Sequence, residues 1–203
     1  MALDLTTPNT LLGLMQPRTA SARRIAAVAT VILGTAVLTL AAKISVPVQP
    51  VPVTLQTLAV AVLAATFGWR IGVATVALYL VEGLAGLPVF ANGGGPQYIL
   101  SPTFGFIVGW LPMAYIIGQV AERAGSRLLP LLGGMIVADA VSFVFGYSWL
   151  LALSGGATWI DQSNVLASAF AKAVQPFIVW DLLKMALAAL TVSGAWSLLR
   201  RRA

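Results

Sequence analysis

In this 203-residue chain the two side chains best placed to do chemistry are Asp181 and Lys184, three positions apart in the apolar stretch WDLLKMALAAL. On a helix that spacing puts both on one face. If the stretch lies within a bilayer, neither side chain faces lipid, because a charge at mid-bilayer costs about 2.5 to 3.5 kcal/mol even on the lenient insertion scale. Two arrangements satisfy this. One is a mutual ion pair that locks helices together; the other is a polar pocket where the ammonium meets a ligand carboxylate and the aspartate accepts from ligand N–H groups. Asp139 is a second acid inside an apolar run, equally open to structural pairing and to a role in a site.

The other unusual polar residues lie between apolar runs. Thr54 and Gln56 follow Pro47, Pro50 and Pro52, and Asn92, Gln97 and Tyr98 surround Gly93, Gly94 and Gly95. Glycine allows tight turns and close approach of backbone to a ligand, although such a run is also a plain connector. It is not a phosphate loop, since the chain has no GxxxxGK[ST] motif.

With no Cys and no His, the chain has no disulfide framework, thiol nucleophile, imidazole base or common zinc or haem ligand set. No catalytic residue, metal site or resident cofactor is expected. An intramembrane enzyme would have to work with Lys or Asp alone, and no constellation supports one. A ligand-binding subunit and a non-catalytic membrane scaffold are the readings to separate.

The elements that position these residues follow from composition. Hydrophobic residues make up 59% and charged residues 9%, against roughly 25% charged in soluble proteins. That predicts an all-α integral membrane protein. Residues 25–42, 54–67, 71–87, 103–120, 128–151 and 166–199 read as six transmembrane helices. The second and third are short for a bilayer, and Pro176 predicts a kink in the last. Residues 1–22 read as a cytoplasmic tail, 23–199 as the transmembrane domain and 200–203 as a basic cytoplasmic end.

Nine of the twelve basic residues fall on one side of this arrangement: Arg18, Arg23, Arg24, Arg70, Arg123, Arg127 and Arg200 to Arg202. Lys43 and Lys172 fall on the other. The positive-inside rule therefore puts both termini in the cytoplasm and turns the proline-rich and glycine-rich loops outward. The net charge of +6 is explained by this topology, with no nucleic-acid partner. Ala22, Ala26, Thr30 and Gly34 recur every four residues, a stripe of small side chains that serves internal helix packing or the docking of another membrane subunit.

The segments VPVQPVPVTLQTLAV (46–60), LVEGLAGLPVFANGGGPQYILSPTFGF (80–106) and WDLLKMALA (180–188) closely resemble the BioY family, biotin-binding S components of energy-coupling factor (ECF) transporters. The resemblance implies an S-component bundle in a bacterial inner membrane that captures biotin from outside with high affinity. Its implied partners are a membrane-embedded coupling (T) protein and two cytoplasmic ATPases, which would hydrolyse ATP. It implies that Asp181, Lys184, Asn92, Tyr98, Thr54 and Gln56 bind the substrate. Lys184 would meet the carboxylate, Asp181 and Asn92 the ureido group, and Tyr98 the rings, with the first two roles exchangeable. The stripe of Ala22, Ala26, Thr30 and Gly34 would dock the coupling protein.

Overall fold

The computed structural model describes residues 19–125 and 127–200; most of the expected tail and the last three residues lie outside them. Helix α1, Ala20–Lys43, begins inside the expected tail, because the Thr19 hydroxyl caps it by accepting from the Ala22 N–H at 3.3 Å. Its buried stripe runs through Ala27, Val31, Gly34, Leu38 and Ala41. The opposite face leaves Ile25, Val28, Leu33 and Leu40 exposed. A helix apolar on its outward face as well as its inward one fits a lipid surround.

After α1 the chain forms a short hairpin of β1, Ser45–Val46, and β2, Val53–Thr54, paired Ser45 to Thr54 and Val46 to Val53. The prolines between them deny helix, as the sequence predicts. Helix α2, Gln56–Phe67, and α3, Trp69–Leu84, meet at Gly68 alone, whose φ of 88° suits glycine. At 12 residues α2 is about 18 Å long, well short of a bilayer core of about 30 Å. It is tolerated because Ala59, Val60, Ala61, Ala64 and Ala65 are buried among neighbouring helices.

A glycine-rich loop and a 3₁₀ turn, Pro96–Leu100, lead to α4, Phe104–Ala124, and α5, Leu128–Ala152. The kink expected at Pro176 in the last segment is a full break in the helix. Residues 166–199 are broken into α6, Val165–Ala173, and α7, Ile178–Arg200. Pro176 sits in the turn between them, where it has no N–H to give and its ring bars the preceding turn. Among the described residues four stretches are long and apolar enough to cross a membrane: Ala20–Lys43, Phe104–Ala124, Leu128–Ala152 and Val165–Leu198. The main core joins α2, α3, α4, α5 and α7 through Val60, Tyr79, Met113, Leu131 and Met185.

Candidate ligand-binding site

Asp181 and Lys184 lie one turn apart near the start of α7 and reach each other, with Lys184 Nζ 2.6 Å from Asp181 Oδ1. Thr57, in the first turn of α2, joins them. Its hydroxyl donates to Asp181 Oδ1 at 2.9 Å and accepts from Lys184 Nζ at 3.3 Å. Asp181 is 2% exposed and Lys184 9%. Burying such a pair gives little net stability against a hydrophobic replacement, while losing either partner strands a charge. Asp139 of α5, also buried, lies within electrostatic reach of both. Its Oδ1 and the Trp110 Nε1 are buried with no hydrogen-bond partner among the described residues.

Two cavities adjoin the pair. The inner one, about 50 Å³, is lined by Thr57, Trp110, Ser142 and Phe177 together with Asp181 and Lys184. The outer one, about 330 Å³, is bounded by Ile44, Val46, Val53, Leu55 and Trp180, and again by Lys184. Thr54 lines both. The outer volume falls in the range of small-molecule sites, roughly 300 to 1,000 Å³, and has their character of apolar walls with a few polar groups. The arrangement offers one cation, one carboxylate and two threonine hydroxyls to a ligand whose apolar part is covered by aliphatic side chains and indole.

Of the residues expected from sequence, Asp181, Lys184 and Thr54 are brought together. Gln56 is one layer behind, with Oε1 accepting from the Thr54 hydroxyl at 3.1 Å and Nε2 donating to the Tyr79 hydroxyl at 2.8 Å. Tyr98 lines neither cavity; its ring packs on Phe90 at 4.4 Å and its hydroxyl accepts from Thr103 at 3.0 Å. Asn92 is exposed and lines neither cavity, because the bridge between Phe90 and Gly93 turns the intervening residues outward.

The small-residue stripe divides. At Gly34 it is internal: an added Cβ would stand 2.7 Å from Thr75 Cγ2 of α3, so this member of the expected docking face is corrected to a packing contact. Ala22, Ala26 and Thr30 are half-buried, and the Thr30 hydroxyl turns back onto the Ala26 carbonyl at 2.8 Å. Sequence reading missed Thr57, Trp110 and Phe177. Thr57 had a signal, a hydroxyl on the first turn of an apolar helix; the two aromatics are indistinguishable in sequence from core packing.

Membrane-length helices, with a buried charge pair beside a cavity of ligand size, define a polytopic membrane protein. The BioY family pattern matches residues 15–201. The chain is 35% identical to the biotin transporter BioY of Thermotoga maritima over 161 residues, 77% of this chain and 87% of that one. It is 34% identical to the probable biotin transporter BioY of Pyrococcus horikoshii, covering 79% and 90%. The chain belongs to the BioY family. Its fold resembles the crystal structure of the S-component for biotin from an ECF-type ABC transporter, with a TM-score of 0.73 at 22% identity over 88% of this chain and 94% of that one. These relatives carry the names of transporters, in keeping with a chain read as having no catalytic residue.

Proposed function

We propose that the chain captures biotin with high affinity from outside a bacterial inner membrane and supports its uptake as the substrate-specific subunit of an ATP-driven ECF transporter. Its partners are a membrane-embedded coupling protein and two cytoplasmic ATPases. It crosses the membrane six times, through α1 to α5 and the α6–α7 stretch, with both termini in the cytoplasm and the hairpin and glycine-rich loop outward. The single observation that carries the reading is the Asp181–Lys184 pair, buried at 2.6 Å yet bordering a cavity of about 330 Å³ through Lys184, in a chain of the BioY family.

Biotin has an apolar bicycle, a ureido group with two N–H donors and a carbonyl acceptor, and a tail ending in carboxylate. Lys184 pairs with the carboxylate and Asp181 accepts from the ureido N–H groups. Thr54 and Gln56 close the site from the hairpin side, Trp180 covers the apolar part, and Tyr98 supports the wall from beneath the glycine-rich loop. Asn92 joins the site when that loop folds over the ligand. The half-buried part of the α1 stripe, Ala22, Ala26 and Thr30, is where the coupling protein docks.

The test is calorimetric titration of biotin into the detergent-solubilised chain and into Lys184→Ala and Asp181→Ala, with the folding of each checked by thermal melting. Tight one-to-one binding that is lost in folded variants is expected. A well-folded parent chain that takes no biotin overturns the assignment.

A further inference from the structure

Thr54 and the glycine-rich loop are connected through the protein interior by a line of hydrogen bonds. The Thr54 hydroxyl donates to Gln56 Oε1 at 3.1 Å, and Gln56 Nε2 donates to the Tyr79 hydroxyl at 2.8 Å. The Tyr79 hydroxyl in turn donates to the Val89 carbonyl at 2.7 Å. One end of this line borders both cavities, and the other is backbone of the loop. Tyr79 is fully buried and Gln56 is 3% exposed, so water does not replace a broken link.

The order of donors is fixed by chemistry. Because the Gln56 amide donates to the Tyr79 oxygen, the hydroxyl hydrogen is free to go to Val89. Breaking any one link leaves a buried donor or acceptor unsatisfied, which favours the line being made or broken as a unit. The next residue of the loop is held as well: Lys43 Nζ, at the end of α1, donates to the Phe90 carbonyl at 2.8 Å. The Phe90 ring packs edge-on against Tyr79, at 5.3 Å between centroids. On the hairpin side, the Leu55 N–H bonds to the Ala41 carbonyl at 3.3 Å. Both loops thus hang from the same end of α1, and Tyr79 joins them.

We infer that Tyr79 is a positioning residue whose hydroxyl couples the hairpin of residues 45–54 to the loop of residues 85–95, so that a ligand touching Thr54 closes both as one lid. This rests on the reading of biotin as ligand. Tyr79 itself contacts no ligand; it transmits the state of the hairpin to loop backbone that borders neither cavity. A purely structural tyrosine would support stability without linking the response of one loop to that of the other.

The experiment is hydrogen–deuterium exchange of the full chain in detergent, with and without biotin, on the parent and on Tyr79→Phe. In the parent, biotin slows exchange in both segments by roughly tenfold or more. In Tyr79→Phe the hairpin keeps its slowing and the 85–95 loop loses most of its own. Biotin dissociation then quickens about tenfold while association stays within roughly twofold. Equal slowing of both segments in Tyr79→Phe, with unchanged dissociation, overturns the coupling and leaves the biotin reading intact. Absence of both slowing and calorimetric binding in the parent overturns the biotin reading, and this inference with it. If Tyr79→Phe fails to melt cooperatively, Gln56→Met cuts the same line at its other joint, and parent-like behaviour there overturns the inference.

Discussion

Between α4 and α5 the backbones come into contact, whereas between α2 and α7 a threonine, a lysine and an aspartate bridge the helices beside open space. A Cβ added at Gly105 would collide with Trp149, one at Gly146 with the Phe106 ring, and one at Gly109 would lie 2.9 Å from Phe145 Cβ and from the Ser142 carbonyl. Among the described residues no charge pair crosses that seam, and none of its residues lines the outer cavity. At the other boundary Thr57, Asp181 and Lys184 exchange three hydrogen bonds and face a cavity. The rigid seam supplies a fixed wall, including Ser142 and Trp110, against which the polar boundary can respond to a ligand. Shape comes from one pair of helices and chemistry from the other.

The sharpest way to break this contrast is to exchange the charges, Asp181→Lys with Lys184→Asp. A pair that serves only to hold helices together keeps its attraction, and a site that reads two ends of a ligand loses its match. Binding is expected to fall about 30-fold or more by calorimetry, in line with 2 kcal/mol or more for a displaced buried partner. Parent-like affinity in the exchanged chain removes the two residues from the ligand. Next in size is Gly109→Val at the seam, which is expected to destabilise the fold by roughly 1 to 3 kcal/mol through overpacking, read as a lower melting temperature. Unchanged melting there shows that the seam yields and is no fixed wall.

The smallest effect lies in the loop before α6, away from both boundaries. Ser163 donates its hydroxyl at 2.7 Å and its N–H at 2.9 Å to Asp161 Oδ1, and these bonds hold the Asp161 carboxyl below its ordinary titration range. A depressed carboxyl contributes stability above its unfolded pKa and loses it as pH falls through the folded one. Ser163→Ala is expected to move the Asp161 titration up toward the ordinary carboxyl range, followed by carbon NMR of the side chain. Biotin binding is expected to stay at the parent level, which separates this surface loop from the site.

The apolar runs made most of the helices legible, because their length and lack of charge have no other explanation. Boundaries were harder. Pro176 signals a bend, but whether a helix kinks or stops depends on what the neighbouring turns pack against, and here α6 seats Ala169 and Ala173 in a separate cluster with Leu150 and Phe177. Asp181 and Lys184 were legible because charges in an apolar helix are costly enough to need a reason. The direction in which Asn92 faces was not legible, because a glycine-rich string does not reveal which way its turn points; the bridge from Phe90 to Gly93 decides that. Trp110 was invisible, since an indole in an apolar helix reads as packing until its N–H is found without a partner.

The shortness of α2 has an electrical consequence. Its 12 residues fall roughly 12 Å short of a hydrocarbon core of about 30 Å, and the hairpin leads into the end of the helix where Thr54 and Lys184 line one cavity. In the proposed orientation, with the hairpin outward and the ligand carboxylate at Lys184, an anion crosses about a third of the low-dielectric layer before any helix moves. A full crossing is worth about 2.3 kcal/mol per elementary charge at 100 mV. On the proposed function, capture of a monovalent carboxylate therefore works against under about 1 kcal/mol of membrane voltage, and the larger share of the field falls on the inward step.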